Sequence, residues 1–175
     1  ILTALGRPEV PVHIVVNKTC DTFRICAEHL APLPEYGRIF VDRDAAQSLV
    51  STGTLLILTD VSNPAIFEAP GLVGCIPEVD GASAIAVIDH HRLVGELPFV
   101  PFLHFIETTK SSASEIISEM LEQSAYADTL LKEEANLLLA GIMLDTHNFT
   151  RSAGAQTFEV TYYLYSRNAH TGTVR

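Results

Sequence analysis

Residues 84–95 read AIAVIDHHRLVG. Five apolar residues, three of them β-branched, stop abruptly on Asp89, His90, His91 and Arg92. An apolar run this short and continuous reads as a strand covered on both faces. Its full extent, ASAIAVID, covers residues 82–89. A buried strand that finishes on a carboxylate and two imidazoles delivers chemistry at its tip. In open α/β sheets that is where ligands bind, beyond the carboxyl ends of the strands.

Working outward, GTLLILTD (53–60) is a second continuous apolar run, and it too ends on an acid, Asp60. VPVHIVVN (10–17), RIFVD (38–42) and FLHFIE (102–107) read as further strands. Between them DTFRICAEHL places Phe23, Cys26, Ala27 and Leu30 at amphipathic-helix spacing. RDAAQSLVS (43–51) reads as a helix capped by Asp42. Residues 63–76, NPAIFEAPGLVGCI, form a crossover broken by Pro and Gly. From Ser111 the chain turns helical. SSASEIISEMLEQS (111–124) opens with serines and Glu115, a capping signature. LKEEANLLLAGIMLDTHNF (131–149) reads as a long apolar helix, and AGAQTFEVTYYLYSRNAH (153–170) as a third. Residues 1–6 resemble the tail of a helix closed by Gly6 and Pro8. Strands alternating with helices predict an α/β fold, a mostly parallel sheet with helices on both faces.

The chain has 175 residues, 47% hydrophobic and 18% charged, which suits a packed core and excludes a disordered chain. No apolar run reaches the roughly 18 residues of a membrane span. Lys and Arg number 11 against 21 Asp and Glu, a formal net charge of −10. Such a surface argues against gripping long nucleic acid through its phosphates. A small anionic substrate stays compatible with it, because a bound cation inverts the local field. Cys20, Cys26 and Cys75 offer no paired spacing for a zinc site and read as thiols in a reducing cytoplasm.

A third acid, Asp145, follows an apolar stretch on the long helix. Left without a partner in a core it would cost on the order of several kcal/mol. A metal ion held by Asp60, His90 and Asp145 would balance it, with Asp89 orienting an imidazole behind the ligands. Carboxylate with imidazole suits Mn²⁺ or a similar ion. Alone, Asp60 reads as a cap or turn former and His90-His91 as a solvated loop. Three separate apolar runs that each carry a potential ligand favour the site.

VIDHH (87–91) resembles the Asp-His-His motif of the DHH phosphoesterase superfamily. LLILTD resembles its preceding motif and GIMLDTHNFT its following one. DHHR, IETTKSSASEIISEML, EANLLLAGIMLDTHNFTRSAGAQTFE and LYSRNAHTGTV together resemble the GdpP (YybT) type of cyclic di-AMP phosphodiesterase. The likeness runs from about Val10 to the end. Two departures are His147 in place of a lysine, and Val61-Ser62 in place of Thr-His.

The resemblance implies hydrolysis of cyclic di-AMP to linear 5′-pApA by a water activated between two Mn²⁺ ions. It implies Asp60 as the carboxylate bridging both ions, and His90 and Asp145 as ligands of the second. His91 would face the substrate phosphate as donor or general acid, and Asp89 would hold an imidazole. Arg92, Ser112, Ser114, Asn148 and Arg151 would contact substrate. A pAp or short-oligonucleotide phosphatase of the same superfamily, or a non-catalytic nucleotide-binding module, remain as alternatives. The superfamily's first motif, H-x-x-x-D-x-D, does not occur in this sequence. Residues 1–175 are therefore expected to be one partial DHH domain. The first strand is expected upstream, and residues from about 152 to 175 form a helix leading to a DHHA1 domain in cis. The expected parent protein is a homodimer anchored in the bacterial cell membrane by upstream segments, with this domain in the cytoplasm.

Overall fold

The computed structural model describes residues 10–16, 21–37, 39–61, 63–67, 69–93 and 95–173. The helix tail expected over residues 1–6 lies outside them, as does Cys20. The chain divides into two compact units, one of Pro11–Ile106 and a second from Glu107 onward.

The first unit is α/β and mostly parallel, as the alternation of strands and helices predicts. β1 (Ile14–Val15) pairs in parallel with β2 (Phe40–Val41). This ladder is shorter than the strands expected over 10–17 and 38–42. Between the two strands runs α1 (Asp21–Leu30), whose Phe23 meets Phe40 edge-on with centroids 5.2 Å apart. α2 (Arg43–Leu49) begins where Asp42 accepts a hydrogen bond from the Ala45 amide at 2.7 Å, the cap anticipated from sequence.

β3 (Leu56–Thr59) and β5 (Ala82–Asp89) are parallel neighbours, with Leu56 opposite Ile85 and Thr59 opposite Ile88. β6 (Pro101–Ile106) flanks β5 on its other side, also parallel. β5 is thus the central strand, and Ile85, Val87 and Asp89 on it are buried. Ile85 and Val87 pack with Ile76, Leu56, Leu58, Val73 and Phe99. The coverage of β3 differs from that expected of a continuous apolar run. β3 is not covered on both faces: Ile57 is 54% exposed while its neighbours Leu56 and Leu58 turn toward the core. Continuous hydrophobicity hides which face a residue serves, and only pairing settles it.

The crossover over residues 63–76 contains a 3₁₀ turn at Pro64–Ile66 and the short α3 (Pro70–Val73). A strand not expected from sequence, β4 (Glu78–Val79), pairs antiparallel with the start of β5. Asp80 and Gly81 join the two strands with φ of 54° and 82°. Asp-Gly with two positive φ values is the strongest short hairpin signal, and it was present in the sequence.

Among the described residues the second unit holds three α-helices: α4 (Ala113–Glu122), α5 (Lys132–Asp145) and α6 (Ala155–Ser166). Their core includes Leu121, Leu139, Ile142, Val160 and Leu164. Ser112 caps α4 by accepting the Glu115 amide at 2.9 Å. α5 ends at Asp145, four residues before the expected Phe149. The Thr146 hydroxyl folds back onto the Ile142 carbonyl at 2.6 Å and accepts the Phe149 amide at 2.9 Å, which diverts the chain out of the helix. α6 is shorter than the expected 153–170 and is followed by a 3₁₀ turn at Thr171–Thr173. Among the described residues no helix is long and apolar enough to cross a membrane.

Candidate metal centre

The site follows from the parallel register of β3 and β5. Thr59 faces Ile88, so Asp60 and Asp89 lie side by side at the same edge of the sheet. The Asp60 amide extends the ladder by donating to the Ile88 carbonyl at 3.1 Å. Asp60 then turns left-handed at φ 59°. That region is disfavoured for most side chains and best tolerated by Asn and Asp.

Asp89 is fully buried. Burying a carboxylate is costly unless it is well hydrogen-bonded. Here one oxygen, Oδ1, accepts the amides of His90 and His91 at 2.6 and 2.9 Å, and lies 2.9 Å from His91 Nδ1. The turn formed by these bonds brings the two imidazoles together, with centroids 4.1 Å apart and planes tilted by 55°. His90 Nε2 lies 3.2 Å from Asp60 Oδ1, and His91 Nδ1 lies 3.6 Å from the same oxygen. The His90 side chain is 14% exposed and that of His91 58%.

One donor atom from each of Asp60, Asp89, His90 and His91 lies within 4.8 Å of the other three. Two carboxylates and two imidazoles without a thiolate form a donor set that fits a divalent cation such as Mn²⁺. The negative charge of two neighbouring acids would be balanced by such an ion.

The remaining sequence candidates are distributed as follows. Arg92 is exposed just beyond His91. Asp145, Ser112, Ser114, Asn148 and Arg151 all belong to the second unit. Asp145 is half-buried as the last residue of α5, not in the helix interior. A carboxylate there faces the negative end of the helix dipole, a position costing about 0.3–1 kcal/mol that a cation would offset. Asn148 and Arg151 are exposed on the following loop. Ser112 is fully buried as the α4 cap. Ser114 faces Gly141 of α5.

The model of the DHH family's N-terminal domain matches residues 8–142. The chain belongs to the DHH family. Asp89, His90 and His91 are thus the DHH triplet on a strand end, with Asp60 beside it. The chain is 36% identical over 132 residues to the cyclic-di-AMP phosphodiesterase GdpP of Geobacillus thermodenitrificans, covering 75% of this chain and 19% of that protein. It is 33% identical over 138 residues to the cyclic-di-AMP phosphodiesterase PdeA of Listeria monocytogenes, covering 79% and 20%. The chain spans about a fifth of the length of these curated relatives. A crystal structure of an exopolyphosphatase-related protein from Bacteroides fragilis superposes with a TM-score of 0.72 at 19% identity, over 98% of this chain and 48% of that one. At that identity the likeness speaks for the fold, and it agrees with the α/β architecture.

The sequence alone leaves open which imidazole Asp89 holds. It holds His91, through Nδ1. The signal was available: an Asp at a strand end readily accepts the amide two residues on. Glu115, expected from sequence only as a capping acid, is 2% exposed, and its side chain accepts from Ser111 and Thr157.

Proposed function

We propose that this chain contributes to a manganese-dependent phosphodiesterase that opens cyclic di-AMP to linear 5′-pApA. The observation that carries this reading is the Asp60, Asp89, His90 and His91 cluster, gathered at the ends of two parallel strands in a DHH-family chain. Similarity to the cyclic-di-AMP phosphodiesterases of Geobacillus and Listeria supports the choice of substrate.

In this reading Asp60 and His90 would hold manganese, with Asp145 proposed as a further ligand from its likeness to the family motif. Bound manganese supplies Lewis acidity and an activated water at neutral pH. Asp89 keeps the His91 ring in place through Nδ1, which leaves Nε2 to face the scissile phosphate. In its protonated form that nitrogen donates to the departing 3′ oxygen. Arg92, Asn148 and Arg151 offer cationic and amide donors to phosphate oxygens. The parent protein is read as a membrane-anchored homodimer that carries a DHHA1 domain in cis and has this domain in the cytoplasm.

The test is side-by-side turnover of cyclic di-AMP, pApA and pAp with Mn²⁺, by the 175-residue chain and by the full product of its gene. Linear pApA accumulating from cyclic di-AMP as the fastest reaction is expected. Faster release of phosphate from pAp, or no manganese-dependent turnover by the full product, would sink the reading.

A further inference from the structure

α4 grips both helices that bracket the loop of residues 146–154, and it does so with two adjacent residues of its first turn. Ser114 lies against Gly141, one turn before Asp145 on α5. A Cβ at Gly141 would sit 2.1 Å from Ser114 Oγ and 2.9 Å from Ser114 Cβ, so only glycine admits this approach. Glu115 holds the start of α6. Its Oε2 accepts the Thr157 hydroxyl at 2.9 Å, and Thr157 Oγ1 in turn accepts the Gly154 amide at 3.0 Å. The same carboxylate oxygen accepts the Ser111 amide at 3.0 Å and the Ser111 hydroxyl. Lys110, 8% exposed, donates to Gln156 Oε1 at 2.9 Å and pairs with Glu119. The beginning of α6 is therefore held by two separate side-chain bonds, one from Glu115 in the first turn of α4 and one from Lys110 in the segment before it.

The loop between these two grips is strained. His147, Asn148 and Phe149 are consecutive left-handed residues at φ 48°, 58° and 63°, and Ser152 joins them at 56°. Non-glycine residues hold such values only where their surroundings over-determine them, and such places cluster at ligand clamps. Phe149 is in addition stacked on Phe158 of α6, with centroids 5.6 Å apart.

We propose that the first turn of α4 is a positioning clamp. Ser114 fixes the end of α5 and Glu115, through Thr157, fixes the start of α6, so that the strained loop presents Asn148 and Arg151 to the phosphates of a dinucleotide. Naming that ligand rests on the function proposed above; the clamp itself does not.

The test compares Thr157→Val, which keeps the side-chain shape and loses both hydroxyl bonds, with Thr157→Ser, which keeps them. Amide hydrogen exchange is read at residues 147–152 and, as an internal reference, at residues 135–143 of α5. Affinity for cyclic di-AMP is measured alongside, with Mn²⁺ present. Thr157→Val is expected to speed loop exchange about tenfold with the α5 amides unchanged, and to weaken dinucleotide binding at least fivefold. Thr157→Ser is expected to restore both. Unchanged loop exchange in Thr157→Val overturns the clamp. So does a parallel rise across α5, which would mean the bond serves general stability only. If exchange behaves as expected but the wild-type chain binds no cyclic di-AMP, the ligand is wrong and the clamp stands.

Discussion

Asp89 shows how one side chain can be structural and chemical at once. Its buried oxygen satisfies two backbone amides and the His91 ring, so the turn that ends β5 is also the device that aims both histidines. Both rings lie near Asp60 Oδ1, but they differ in surroundings: the His90 imidazole is shielded, while that of His91 is more exposed and tethered to Asp89 through Nδ1. The two histidines should therefore fail differently when replaced. His90→Ala is expected to weaken manganese binding at least tenfold and to abolish turnover. His91→Ala is expected to retain the metal and slow turnover by about 10²–10³, the loss typical of a missing transition-state donor. Bound manganese per chain, measured beside the turnover of both variants in the full gene product, decides the matter. An empty site in His91→Ala with a loaded one in His90→Ala reverses the assignment.

Elements are held together by bonds that cross long stretches of sequence. Tyr163 of α6 donates its hydroxyl to the Ala127 carbonyl at 2.8 Å, which ties α6 to the 3₁₀ turn at Ala127–Thr129. Arg167 reinforces the tie by donating to Asp128 Oδ1 at 2.8 Å. Burial of the ring raises the Tyr163 pKa above its ordinary value, with the nearby Arg167 charge opposing. A phenol whose pKa is raised on folding stabilises the fold fully below its unfolded pKa, about 10, and that contribution fades as pH rises through the folded value. Tyr163→Phe should accordingly cost about 1 kcal/mol at neutral pH, the net worth of one hydrogen bond. Urea denaturation of both proteins from pH 7 to 11 should show the gap narrowing above roughly pH 10. A gap that widens with pH contradicts the assignment.

At the scale of the whole molecule, the described donor atoms of the first unit form one cluster, compact enough for a single cation. Calorimetric titration of the 175-residue chain is expected to give one manganese equivalent, lost in Asp60→Ala. A stoichiometry of two would mean that this chain completes both ion sites by itself. The acidic balance, 11 basic against 21 acidic side chains, suits the proposed reading, in which a cation meets the anionic substrate.

Much of this was legible in the one-dimensional chain. The apolar run over residues 84–88 specified a central strand because a parallel strand flanked on both sides has no polar face to show. The acids and imidazoles after Ile88 and Thr59 marked the functional edge, since polar groups gather where a buried strand meets solvent. The cap at Asp42 and the start of α4 could be read from local residues, because a cap bonds within three positions of itself. The rest was decided by contacts between residues far apart in sequence. Ile57 and Leu56 are equally apolar, yet only the pairing of β3 with β5 sends one outward and the other to the core. That Asp60 and Asp89 stand side by side follows from a ladder joining segments nearly thirty residues apart. The Glu115–Thr157 bond spans 42 positions. Local preference fixes which residues can cap, turn or pair, but a long-range contact exists only once the chain has closed the loop between its partners, and no local pattern encodes that closure.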